Sequence, residues 1–193
     1  MTQAGSGVET AEVAPSVLDA AHFDALLQAI ADEGYALIGP TVRDGAIIYD
    51  EIESAQELPI GWTDTQEAGR YRLERRGDRA YFGYVVGPES WKKFLLAPKR
   101  RLWSSTRRQD GGFTIEPEPP PDRKLAFIGV RGCELAAIAI QDRVLMQGHF
   151  VDSHYRAARE QLFVLAVNCV NAAATCFCVS MGTGPKARGN KFS

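Results

Sequence analysis

The sequence predicts an α/β protein, with an α+β arrangement as the alternative. Three observations carry that expectation. Leu125-Ala126-Phe127-Ile128-Gly129-Val130 and Leu162 to Val167 are short, nearly continuous apolar runs of the kind buried on both faces of a parallel sheet. Two stretches of helical character, Glu134 to Met146 and Ser153 to Gln161, lie between them. Upstream, the chain is richer in short β-like segments than in helix.

In chain order, residues 1–16 are small, polar and acidic and read as a disordered N-terminus. Leu18, Phe23, Leu26, Leu27, Ile30 and Ala31 recur at helical spacing. Asp19 or His22 begins that helix, and Gly34 ends it as a left-handed C-cap. Tyr35 to Ile38 reads as a strand, Gly39-Pro40 as a turn and Ala46 to Tyr49 as a second strand. Between residues 50 and 122, Tyr71, Leu73, Tyr81, Phe82, Tyr84 and Val86 sit in short β-like segments broken by glycines, with a hairpin expected at Arg76-Gly77-Asp78. Pro88-Glu89-Ser90 starts a short helix through Trp91, Phe94 and Leu95. Pro117 to Asp122, with four prolines in six residues, excludes regular structure. The expected organisation is a β-rich part over 17–116 and a βαβ cysteine unit over 123–185, forming one unit over 17–185. An atypical basic tail follows at 186–193.

The chain has 193 residues, 45% of them apolar, and a net charge of -2. That size and composition suit a globular chain with a real core. The charge gives no reason to expect nucleic acid or an anionic membrane as partner. No run of about 18 apolar residues occurs, and the N-terminus lacks the basic start and apolar stretch of a signal peptide. A cytoplasmic location follows as an expectation, and there disulfides are disfavoured.

The four cysteines, Cys133, Cys169, Cys176 and Cys178, all fall in the last third of the chain. Cys133 follows the first buried strand and Cys169 ends the second. If the strands are neighbours, their ends lie about 5 to 10 Å apart, at the carboxyl edge where ligand sites of such sheets form. Cys176 and Cys178 lie in the loop just beyond. Four thiols in a reducing compartment have three uses: an iron–sulfur cluster, zinc, or thiol redox chemistry. A C-x-C with two isolated cysteines matches neither the paired knuckles of structural zinc nor the C-x-x-C of dithiol enzymes, and buried cysteines that merely pack stay open as well. Neighbouring glycine, arginine and asparagine suit a site better than a core.

Gly129-Val130-Arg131-Gly132-Cys133-Glu134-Leu135, Asn168-Cys169 and Thr175-Cys176-Phe177-Cys178-Val179-Ser180-Met181-Gly182-Thr183-Gly184-Pro185 resemble the β subunit of cytoplasmic sulfhydrogenases and the related A subunit of anaerobic sulfite reductase. Asp152 to Glu160, with Tyr155, Arg156 and Arg159, also fits that family, as do Gly69 to Leu73, Phe82-Gly83-Tyr84, Val86-Gly87-Pro88 and Ser90-Trp91-Lys92. The resemblance spans about residues 50 to 185. It implies one [4Fe-4S] cluster held by Cys133, Cys169, Cys176 and Cys178. Arg131, just ahead of Cys133, reads as a positive charge near that cluster that raises its potential. The resemblance further implies an electron-transfer role between a flavin-containing NAD(P)H-oxidising subunit and a hydrogenase or sulfite reductase subunit. Family members continue into a ferredoxin-like module with two further [4Fe-4S] clusters; this chain does not, and a truncated or fragmentary chain is the expectation. The alternative is a zinc-stabilised protein-interaction module without redox role.

Other features read more plainly. Arg131 equally fits a surface salt bridge. Gly182 to Pro185 lacks the lysine and helix of a phosphate loop. His22, His149 and His154 are scattered, and His154 reads as a solvated helix residue. The basic run Lys92, Lys93, Lys99, Arg100, Arg101, Arg107 and Arg108 reads as a docking face for an acidic partner or as a solvated face. No G-x-G-x-x-G occurs, so no nucleotide cofactor is expected.

Overall fold

The computed structural model describes residues 15–188. The expectations for most of the N-terminus (1–14) and for the end of the tail (189–193) lie outside the described residues.

The first helix forms as its periodicity predicts. Asp19 accepts a hydrogen bond from the Ala21 N–H at 2.9 Å and caps a single 3-10 turn, Ala20–His22. Helix α1 continues over Phe23–Asp32, and Gly34 leaves it at φ +86°. Strand β1 (Ala36–Arg43) follows, then strand β2 (Ala46–Glu51).

The expected turn at Gly39-Pro40 is absent; β1 runs straight through it and turns at Asp44-Gly45, with φ of 52° and 75°. Pro40 is opposite Tyr49 in the antiparallel register. Tyr49 sends its own N–H the other way, to Glu89, so this is a pair without ladder bonds and the missing proline N–H faces away from β2. On that other side, the neighbouring strand pairs only as far as Ile38. The ladder therefore loses nothing at Pro40.

The hairpin expected at residues 76–78 is also displaced. Strands β3 (Trp62–Glu67) and β4 (Arg70–Arg75) turn at Ala68-Gly69, where Gly69 has φ +72°. Tyr81 to Val86 forms no strand, although Tyr84 and Val85 are buried. A four-residue helix α2 (Lys92–Leu95) seats Trp91 and Leu95 in the core. A second hairpin, absent from the expectations, pairs β5 (Trp103–Arg107) with β6 (Phe113–Pro117).

Beyond the proline-rich segment, strand β7 (Leu125–Val130) is buried throughout. Helices α3 (Gly132–Met146) and α4 (Ser153–Glu160) then lead to strand β8 (Leu162–Ala166). The central sheet has the order β2-β1-β7-β8; β1, β7 and β8 are parallel and β2 is antiparallel. This is the α/β class that the apolar runs predict, and segments from both sides of the proline-rich stretch share one sheet.

Side-chain alternation along β7 divides the core into two layers. Ala126 and Ile128 face α1, packing with Leu27, Ile30 and Leu37. Leu125, Phe127 and Val130 face α3 and α4, packing with Trp91, Leu135 and Tyr155. Phe127 is fully buried and stacks on Trp91 at 4.6 Å, which in turn stacks on Tyr49 at 3.9 Å. Burying a ring of that size stabilises the fold by about 2–3 kcal/mol.

Candidate functional site

The parallel strands aim their carboxyl ends at one edge, and β7 delivers its chain there with an irregularity. Gly129 has φ +88°, and the register with β8 slips between Ile128 and Val130. A Cβ at Gly129 would stand 2.5 Å from the Phe82 ring, so the position needs glycine for both conformation and space. The slip puts Arg131 at the N-cap of α3 in extended conformation.

Arg131 is only 2% exposed, and Glu134 is 8% exposed. The expected alternative of a surface salt bridge at Arg131 is therefore incorrect. Glu134 accepts the Arg131 backbone N–H at 2.9 Å, closing the first turn of α3, and also accepts a short hydrogen bond from the Tyr49 hydroxyl. The Arg131 guanidinium donates to the Tyr84 carbonyl at 2.6 Å and lies 4.6 Å from the Tyr84 ring centre. Burial pushes the Glu134 carboxyl up, against the Tyr49, Arg131 and Trp91 interactions that favour its charged form. Burial also works against the Arg131 charge, but nearby Tyr84, Glu134, Tyr49 and Cys169 outweigh it and hold the guanidinium above its ordinary value. The bond from the Arg131 backbone N–H to the Glu134 carboxyl fixes the N-terminus of the helix that carries Cys133.

Cys133 is the second residue of α3 and is half-buried. Burial pushes its thiol up, and Glu134, Cys178 and Cys169 add to the shift. Cys169 follows β8. Its N–H donates to the Pro185 carbonyl at 3.0 Å, and its thiol donates to the Asn171 carbonyl at 2.9 Å. Asn171 reaches the Gly83 carbonyl at 2.5 Å, tying the loop to the β3–β4 side. Cys176 is exposed, with its sulfur accepting the Ala173 N–H at 3.3 Å. The Cys178 carbonyl accepts the Thr183 N–H at 2.9 Å. The segment 183–186 then folds back over α3, where a Cβ at Gly132 would lie 2.9 Å from the carbonyl oxygens of Thr183 and Lys186.

Cys133, Cys176 and Cys178 line one open cavity of about 390 Å³, together with Ile140, Phe177 and Met181. All four cysteines are free thiols. The carboxyl-edge placement expected from the strands thus holds for Cys133 and Cys169, and the loop brings Cys176 and Cys178 to Cys133.

The metal assignment does not hold. Among the described residues, no group of three or more Cys, His, Asp or Glu is arranged to hold a metal ion. The physical reason is visible at two of the cysteines. The Cys169 thiol is turned to the Asn171 carbonyl, and exposed Cys176 accepts a local N–H, so the four sulfurs are not presented as one tetrahedral donor set. The iron–sulfur, [4Fe-4S] and metal-binding expectations for Cys133, Cys169, Cys176 and Cys178 are corrected accordingly, and the tuning role given to Arg131 falls with them. The zinc alternative needs the same donor set and is corrected too.

Sequence reasoning missed the Tyr49–Glu134–Arg131–Tyr84 network. Its members come from three separate segments, and the one local signal was a glutamate three residues into a helix start. The residue at the N-cap, Arg131, is an arginine, which is not a capping type. His154, read as a solvated helix residue, has a buried Nε2 without a hydrogen-bond partner. No helix among the described residues is long and apolar enough to cross a membrane. No protein-family model, no curated protein and no solved structure matches this chain.

Proposed function

We propose that this chain is an electron-transfer subunit of a multi-component redox enzyme in the cytoplasm, and that it carries reducing equivalents on thiols. The observation that carries the reading is the cavity that Cys133 and Cys178 both line. In the reduced form both are thiols. Oxidation joins their sulfurs in a disulfide and releases two protons and two electrons; reduction reverses it. The chain relays electrons between a flavin-containing NAD(P)H-oxidising subunit and a hydrogenase or sulfite reductase subunit; both partners are inferred from the motif resemblance at 129–135, 168–169 and 175–185.

Two features support the pairing. Cys178 is in a loop that folds back over the start of α3 through Thr183, so both cysteines border the same cavity. Phe177 and Met181 rim the cavity with 71% and 64% of their surface exposed, an apolar lip suited to a docked partner.

The test is equilibration of the purified chain in dithiothreitol buffers of stepped potential, followed by differential alkylation and peptide mapping. The reading expects a reversible Cys133–Cys178 disulfide with a midpoint of roughly -200 to -300 mV, the range of relay dithiols. Two thiols that stay fully alkylatable at every potential would rule it out.

A further inference from the structure

We infer that the β5–β6 hairpin is a docking arm for a partner protein that presents an apolar groove with an acidic rim. The hairpin forms a two-stranded sheet of its own, and no other element packs substantially against it. An isolated two-stranded ribbon is marginally stable in water, so this one is either maintained at a cost or completed by something else.

The register identifies the face to be completed. Trp103 pairs with Pro117, Ser105 with Ile115 and Arg107 with Phe113, so Trp103, Ile115 and Phe113 share one side. They are 59%, 66% and 61% exposed, and Leu102 at the base is 62% exposed. The opposite side carries Ser104, Thr106, Thr114 and Glu116. Such one-sided alternation is the pattern of a strand pair with a buried face, yet none of the described residues buries it.

Charge selects the occupant. Residues 99–108 hold five cations and no acid, in a chain whose net charge is -2. Arg100 is engaged with Asp152, and Arg108 with Asp110. Lys99, Arg101 and Arg107 form no ion pair among the described residues, and Arg107 stands beside Phe113 on the apolar side. A second copy would bring the same run of cations, five with no acid over residues 99–108, to the contact. An acidic rim around an apolar groove satisfies both the side chains and the cations. Single-stranded nucleic acid would use the aromatics and cations, but Ile115 in the middle of the row offers no stacking surface, and Glu116 and Glu118 follow directly.

This surface is independent of the thiol cavity. Its test is zero-length carbodiimide cross-linking, which joins lysine amines to carboxylates, in native-source cells expressing the tagged full chain, with peptides mapped by mass spectrometry. The expected result is Lys99 joined to aspartate or glutamate of one different polypeptide, with yield falling at least fivefold in Phe113→Ser and in the double variant Arg101→Glu/Arg107→Glu. Both variants should stay close to the parent melting temperature, because Arg101, Arg107 and Phe113 are exposed and no other described element packs substantially on the hairpin. Four results would overturn the inference. These are unchanged cross-linking in both variants, Lys99 joined only to its own chain, a concentration-dependent dimer on sedimentation that Phe113→Ser abolishes, and tight oligothymidylate binding that the charge reversals abolish.

Discussion

Tyr49 on β2 donates its hydroxyl hydrogen to the carboxylate of Glu134 in the first turn of α3, across 85 positions of sequence. The contact joins the antiparallel edge of the sheet to the helix that carries Cys133. Removing the hydroxyl in Tyr49→Phe leaves a buried carboxylate short of a donor. The expected loss is about 1–3 kcal/mol, read from the midpoint of urea unfolding with an unchanged slope. A loss below a few tenths would mean that water replaces the tyrosine.

Glu134 also sets a pH dependence. Its folded-state pKa is raised above the ordinary value of 4.5, with burial the largest cause. A carboxyl raised in this way stabilises the fold fully below its unfolded pKa, and the contribution is lost as pH rises through the folded value. The measurable quantity is the stability difference between the parent chain and Glu134→Gln. It should shift in favour of the glutamine variant between pH 4 and pH 8. A difference that is flat over this range would place the titration elsewhere.

Gly129→Ala should be among the more damaging single substitutions. It adds a left-handed backbone penalty to a contact of 2.5 Å with Phe82. A loss of about 2–3 kcal/mol is expected by thermal unfolding, whereas Gly69→Ala, with an open surround at φ +72°, should cost only about 1 kcal/mol.

The C-terminal part of the fold was legible because its signals are local. A six-residue apolar run from Leu125 to Val130 is too short for a core helix and reads as a buried strand, and the amphipathic stretch at 153–160 turns one face inward. Pro40 misled, since a proline inside a strand depends on what pairs beside it, which the sequence does not show. The β5–β6 hairpin escaped notice because Trp-Ser-Ser-Thr-Arg looks too polar for a strand until Phe113, Ile115 and Pro117 are placed opposite it. At the site, strand ends located Cys133 and Cys169 correctly. The orientation of each sulfur was not legible: it depends on whether Cys169 turns to Asn171, a choice made by the fold of a loop rich in alanine, glycine and threonine.

A variant of that loop tests its anchoring. Asn171→Ala removes the hydrogen bond to the Gly83 carbonyl, freeing the segment that positions Cys169 and precedes Cys176. Amide exchange of residues 170–178 should accelerate at least tenfold, while β7 stays protected. Equal exchange in both proteins would show that other bonds, such as that from the Cys169 N–H to the Pro185 carbonyl, hold the loop.

The central claim is that Cys133 and Cys178 form one two-electron dithiol, and anaerobic coulometry counts those electrons directly. The chain, first oxidised by a mild disulfide oxidant, is titrated with reductant. The account predicts uptake of two electrons per chain in one step, falling to zero in Cys133→Ser and in Cys178→Ser and unchanged in Cys169→Ser. Uptake that survives Cys133→Ser, or a parent chain that takes up none, would contradict it.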